Sequence, residues 1–152
     1  MNVPLAPPLW RILLVEDNSG DVALLRLALQ EAGLNFELTV INDGAQALNF
    51  VKLQAEYTGR PKPDLAVLDL HLPRHSGVEV LEAIRSSEHL RQVPVVTLSA
   101  LPEPHDQAKV RALGIDCQII KPIDLDDFMS IGTSLKFILE TTSCRVTKAS
   151  GG

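Results

Sequence analysis

Apolar and polar positions along this chain switch repeatedly between two periods. Ile12-Leu13-Leu14-Val15 is a continuous apolar run, the mark of a strand buried on both faces. A polar break at Asp17-Asn18-Ser19-Gly20 follows. Val22, Leu25, Ala28, Leu29 and Ala32 then recur at helical spacing, and Gly33 stands where that helix would end. Phe36–Ile41 alternates as a second strand, and Asn42-Asp43-Gly44 opens a helix through about Ala55. The same succession continues with a strand at Leu65–Leu68, a helix at Val78–Ile84, a strand at Val95–Leu98 and a helix at His105–Leu113 closed by Gly114. Cys117–Ile120 reads as a fifth strand. Asp124 caps a last helix, Leu125 to about Glu140, with Asp127 in capping-box position. Five strand–helix units in a row predict an α/β fold, with a parallel sheet, right-handed crossovers and helices on both faces.

The ends break the pattern. Residues 1–9 carry Pro4, Pro7 and Pro8, and residues 141–152 are polar without an apolar period. The expected organisation is an N-terminal arm (1–9), a folded body (10–140) and a polar C-terminal tail (141–152), with both ends on the surface or poorly ordered. At 152 residues the chain is the size of one domain and needs neither disulfide nor metal to hold a core. Its 14 Lys+Arg against 19 Asp+Glu give a net charge of −5, which argues against a direct nucleic-acid partner. No apolar run approaches the ~20 residues of a membrane span, so no membrane partner is expected. Met1–Trp10 lacks a basic leader-like region, and two cysteines, Cys117 and Cys144, suit a reducing compartment. The expected location is the cytoplasm.

In parallel sheets of this kind, chemistry sits beyond the carboxyl ends of the strands. The residues there are Glu16-Asp17 after the first strand, Asp69 after the third, Ser99 after the fourth and Lys121-Pro122 after the fifth. Singly, each has an ordinary reading as a turn, a cap or a loop. As a set they are three acids, a hydroxyl and an amine converging on one rim. Three close carboxylates repel and raise one another's pKa unless a cation joins them. Hard oxygen ligands of this kind suit Mg²⁺. Mg²⁺ beside a carboxylate nucleophile is equipment for phosphoryl transfer, giving an acyl phosphate on the aspartate.

The motifs Leu14-Val15-Glu16-Asp17-Asn18, Asp69-Leu70-His71-Leu72-Pro73 followed by Gly77, Leu98-Ser99-Ala100 and Lys121-Pro122 occur in this order. Over residues 11–140 the chain resembles the receiver domain of two-component response regulators. The resemblance implies a flavodoxin-like, doubly wound (βα)5 fold with strand order 2-1-3-4-5 and a phosphoacceptor at Asp69. It further implies that Asp17 and Asp69 bind Mg²⁺ directly, that Glu16 binds it through a water, and that the His71 backbone carbonyl completes the protein ligands. Ser99 and Lys121 would contact the phosphoryl group, and the small Ala100 would leave the approach open. The stretches from Glu56 to Leu65 and from Ser87 to Val96 are longer than a minimal receiver requires. They resemble those of small regulators that accept phosphate from phytochrome-type histidine kinases, so a kinase of the bacterial phytochrome type is the expected donor.

The chain departs from that pattern in places. Gln118 stands where the family has an aromatic residue that turns inward on phosphorylation. Either the amide fills the same surface slot, or the aromatic switch is absent and signalling runs through the loop after the fourth strand and a dimer interface. Leu101 offers no group to position an attacking water, so autodephosphorylation is expected to be slow. His71 is expected to turn its ring to solvent, and His75, His89 and His105 to lie on the surface without forming a zinc site. Ile131, Phe137 and Leu139 spread around the last helix beyond a single stripe, which predicts a partner surface and a homodimer. The twelve residues after Glu140 leave no room for an output domain. The expected protein is a stand-alone switch acting through protein–protein contacts, not an enzyme beyond its own phosphorylation and slow dephosphorylation. A small phosphohydrolase of the haloacid-dehalogenase type is the competing enzyme reading, but it has a second acid where His71 stands. A phosphorylation-independent pseudo-receiver is the other, and the intact acid set opposes it.

Overall fold

The computed structural model describes residues 6–56, 61–101 and 103–151, with side chains to Gln54 in the second helix and to Thr142 in the last. Residues 57–60, inside the first of the two long stretches, lie outside the described residues. Ten elements alternate: β1 (Trp10–Val15), α1 (Ser19–Glu31), β2 (Phe36–Ile41), α2 (Gly44–Glu56), β3 (Leu65–Asp69), α3 (Gly77–Ser86), β4 (Val95–Ser99), α4 (Pro104–Leu113), β5 (Cys117–Ile120) and α5 (Leu125–Gly151). All strand pairs are parallel and the sheet order is β2-β1-β3-β4-β5, the expected flavodoxin-like arrangement. No helix among the described residues is long and apolar enough to cross a membrane.

The strand pleat divides the apolar residues between two cores. Leu13, Val15, Ala66 and Leu68 face one way, onto Ala47 and Val51 of α2, Val80, Leu81 and Ile84 of α3, and Val110 of α4. Ile12, Leu14, Leu65, Val67, Val96 and Leu98 face the other way, onto Leu25 and Leu29 of α1 and Phe128, Ile131, Leu135 and Leu139 of α5. β3 and β4 are buried throughout, which is why their sequences are mostly apolar rather than alternating, with Thr97 buried among them and Asp69 and Ser99 at their ends. The edge strand β5 alternates instead. Cys117 and Ile119 join the α1–α5 core, while Gln118 and Ile120 stay exposed on the other face.

The last helix corrects two expectations. It runs eleven residues past Glu140, to Gly151, where a polar tail from 141 was expected. Nothing between Glu140 and Gly151 is a Pro or Gly, so polarity alone gave no stop. Ile131 and Leu139 are not surplus either; both are buried against β1, β3 and α1, and only Phe137 of the three remains exposed, at 68%. A stripe wide enough to cover both α1 and the sheet accounts for the first two. Asp124 does cap the helix, accepting the backbone N–H groups of Asp126 and Asp127 at 2.8 and 3.3 Å.

The segment from Ser87 to Val93 is held by one side chain. Arg85 at the end of α3 donates to the carbonyls of Arg91, Val93 and Gly114, tying this stretch to the start of β5. Between α1 and α5 the packing is so close that a Cβ on Gly132 would lie 2.1 Å from the Ala28 carbonyl oxygen. Helix propensity favours alanine there by about 1 kcal/mol, but the two helices would have to separate. Gly132→Ala is expected to destabilise the protein by about 2–3 kcal/mol in chemical denaturation, where a surface Gly→Ala in a helix would stabilise it.

Candidate functional site

Register explains how distant residues meet. Val15 pairs with Leu68 and Ser99 with Ile120. The residues that follow Val15 and Leu68, Glu16 and Asp69, therefore emerge side by side from the middle of the sheet, and Lys121 follows one step beyond Ser99. A hydrogen bond from the Lys121 backbone N–H to the Ser99 carbonyl, 2.9 Å, fixes that last step. The carboxylates of Glu16, Asp17 and Asp69 offer oxygens that all lie within 4.8 Å of one another. Glu16 and Asp69 are buried and Asp17 is exposed.

The loops that carry these acids are tightly determined. Glu16 Oε1 accepts the Asn18 backbone N–H at 3.1 Å, and Asn18 in turn caps α1, its Oδ1 accepting the Asp21 N–H at 3.0 Å. Asp69 Oδ1 accepts the His71 N–H at 3.0 Å. Gly77 sits directly over Asp69, where a Cβ would fall 2.2 Å from the Asp69 carbonyl oxygen, so only glycine lets α3 start there. The Gly44 N–H reaches the Pro73 carbonyl at 3.2 Å, and Arg74 takes a left-handed φ of 70° as the loop turns back toward α2.

One ammonium serves the whole cluster. Lys121 Nζ lies 2.8 Å from Asp21 Oδ2, 3.0 Å from Glu16 Oε2 and 3.3 Å from Asp69 Oδ2. Burial works to lower the lysine pKa, but the hydrogen bonds with Asp21 and Glu16 and the charge of Asp69 outweigh it and push it above its usual value. Glu16 goes the other way for a carboxylate. Burial raises it to about 7, with Asp69 adding to the rise, and the pairing with Lys121 and the Asn18 N–H only partly offset this. At the end of β4, Ser99 Oγ is buried and has no hydrogen-bond partner among the described residues.

The cluster thus unites Glu16, Asp17, Asp69 and Lys121 as the sequence led us to expect, with Ser99 buried one register step away. His71 is exposed, and its Nε2 donates to the Leu101 carbonyl at 2.9 Å, linking the loops after β3 and β4. His75 and His105 are exposed and His89 is half-buried. Asp21 is the residue the sequence reading missed. Three positions after the cap Asn18, it reads as an ordinary first-turn acid of α1, and nothing local signals that Lys121, 100 residues away, arrives beside it.

An open parallel sheet with an acidic, lysine-crossed pocket at its strand ends defines a phosphoryl- or cation-handling α/β domain. The family follows from comparison: residues 12–150 match the response regulator receiver domain, and the chain belongs to that family. Response regulator Rcp1 of Synechocystis sp. (strain ATCC 27184 / PCC 6803 / Kazusa) is 35% identical over 133 residues, covering 87% of this chain and 90% of that protein. The crystal structure of the phosphorylated cyanobacterial phytochrome response regulator RcpA superposes with a TM-score of 0.78 at 32% identity, covering 89% of this chain and 96% of that one. The Mn²⁺-bound form of Rcp1 gives 0.76 at 34% identity, covering 87% and 96%.

The Glu16 shift carries a pH signature. A carboxyl whose folded pKa is raised stabilises the fold fully below its unfolded value and loses that contribution as pH rises through the folded pKa. For Glu16 the window runs from 4.5 to about 7. Without added metal, thermal stability of the wild type is expected to fall between pH 5 and pH 7 more steeply than that of Glu16→Gln, whose side chain stays neutral. Equal slopes in a pH series of melting temperatures would contradict the burial argument.

Proposed function

We propose that this protein is a single-domain response regulator that accepts a phosphoryl group on Asp69 from the phosphohistidine of a histidine kinase. The observation that carries this reading is the buried Asp69 carboxylate, held among two further acids and one lysine. The donor set fits Mg²⁺. Hard carboxylate oxygens of three acids converge within 4.8 Å, the donor type and number that suit this ion. Asp17 and Asp69 would hold the ion directly, Glu16 through a water, and the His71 carbonyl would complete the protein ligands. Bound there, Mg²⁺ supplies charge neutralisation for the transferring phosphoryl oxygens.

The chain's own groups supply the rest. An Asp69 carboxylate oxygen forms the new O–P bond while the N–P bond of the donor breaks, its electron pair returning to the imidazole. Lys121 already lies 3.3 Å from Asp69 Oδ2, where its ammonium stabilises charge on the phosphoryl oxygens. Ser99 Oγ, buried and unpartnered, supplies the hydroxyl for another oxygen. Leu101, exposed at the rim, brings no side-chain group to orient a hydrolytic water, so the acyl phosphate is long-lived.

The likeness to Rcp1 and to RcpA, a phytochrome response regulator, supports a phytochrome-type histidine kinase as the donor and a cytoplasmic setting. Output runs through protein contacts, including a homodimer. Phe137 stands exposed on α5 beside a groove lined by Cys117, Thr133, Ser134 and Ile138, the apolar feature that supports it.

Incubation with acetyl phosphate and Mg²⁺ is expected to add one phosphoryl group to the wild type and none to Asp69→Asn, read by intact mass. The adduct should decay over minutes or longer after the donor is removed; no gain in either protein would overturn the assignment. Light scattering at micromolar concentration is expected to give a dimer mass, lowered toward the monomer in Phe137→Glu. A wild-type monomer would remove the dimer from this reading.

A further inference from the structure

Of the three carboxylates around Lys121, Asp21 makes the closest contact, at 2.8 Å against 3.0 Å for Glu16 and 3.3 Å for Asp69. It is also the one outside the cation-binding cluster, which comprises Glu16, Asp17 and Asp69. Asp21 sits in the first turn of α1 with its backbone N–H bound by the Asn18 cap, so its position is fixed independently of the lysine. A helix N-terminus also favours the ionised form of a first-turn acid. The two other acids the lysine touches, Glu16 and Asp69, are the buried members of the cation cluster. An ammonium there and a divalent cation are rivals for the same oxygens.

We propose that Asp21 is a positioning residue for phosphoryl transfer, drawing the Lys121 ammonium toward α1 so that it competes less with a divalent cation for Glu16 and Asp69. The inference rests on the reading of this pocket as a Mg²⁺-dependent phosphoacceptor site. Lysine has three donor hydrogens, and the three carboxylates divide them. Taking Asp21 away leaves two acceptors, both of them cation ligands, and the ammonium settles more firmly on those. With Asp21 taking the closest contact, the ammonium stays beside the phosphoryl site while its hold on the Glu16 and Asp69 oxygens is weaker than two acceptors alone would allow. A purely helix-capping acid would have no such effect, because its consequence would not depend on Lys121.

The test is a double-mutant cycle read by calorimetric Mg²⁺ affinity of the unphosphorylated protein, with Asp21→Asn, Lys121→Met and the double variant. Asp21→Asn is expected to weaken Mg²⁺ binding about fivefold, and in the Lys121→Met background the same change is expected to cost less than about twofold. Lys121→Met alone should bind Mg²⁺ more tightly than wild type, its rival cation gone. Asp21→Glu, which keeps the charge, should restore affinity to within about twofold of wild type. Equal weakening in both backgrounds would reduce Asp21 to a distant charge and overturn the proposal, as would an unchanged affinity in Asp21→Asn. Either result would leave the phosphoacceptor reading intact, since that stands on the wild type taking up Mg²⁺ and one phosphoryl group. Failure of the wild type to bind Mg²⁺ would overturn both.

Discussion

Three carboxylates gathered around one ammonium are the constraint on which the rest of this molecule depends. At an effective dielectric near 20, two carboxylates 4.8 Å apart repel by about 3.5 kcal/mol. Three such acids would not stay together in a fold that supplied nothing positive. Lys121 supplies it, spanning Asp21, Glu16 and Asp69 at 2.8–3.3 Å. Burial raises the Glu16 pKa, the charge of Asp69 adds to the rise, and Lys121 offsets it only in part. The lysine thus lets the pocket form while leaving three carboxylates converging within 4.8 Å, an arrangement that suits a divalent cation.

Assembling this cluster requires a rigid sheet. Glu16 and Lys121 are 105 residues apart in the chain, and their contact depends on β1, β3, β4 and β5 keeping their registers. The rigidity comes from burial on both faces of the central strands and from a close α1–α5 seam in which Gly132 touches the Ala28 carbonyl. The Asp69 loop is held from outside as well, by Gly77 beneath α3 and by the hydrogen bond from Gly44 to Pro73. A stability argument about glycine thus bears on the site at Gly77, because any side chain there would push against the backbone of Asp69, the proposed phosphoacceptor.

Much of this was legible in the sequence. The apolar stretches at 12–15, 65–68 and 95–98, the last interrupted by Thr97, are buried central strands, with the acids and hydroxyl at their carboxyl ends and the lysine after β5. What was not legible depended on partners remote in sequence. Ile131 and Leu139 looked surplus because the helix was read as covering the sheet alone, when it also packs on α1. Its extension to Gly151 was hidden because polar residues without Pro or Gly neither demand nor forbid a helix. Asp21 was invisible for a similar reason: a first-turn acid is ordinary, and only the fold brings Lys121 to it.

The anchoring is uneven, and the unevenness bears on how a change at the site would spread. α3 buries five of its residues, whereas α4 buries Val110 alone. The edge strand β5 leaves Gln118 and Ile120 uncovered on its α4-facing side. Few buried apolar contacts mean a low local cost of movement. Ser99 ends the strand that leads into α4, and His71 is joined to the same loop through the Leu101 carbonyl. These two links from the pocket therefore enter the segment that resists displacement least. With Gln118 exposed, no aromatic ring at that position need be moved for this segment to shift. The opposite face, clamped at Gly132 and filled by Phe128, Ile131, Leu135 and Leu139, would transmit the same displacement only by opening a close-packed core. Packing alone thus gives the molecule a stiff side beneath the carboxylates and a yielding side beside Ser99.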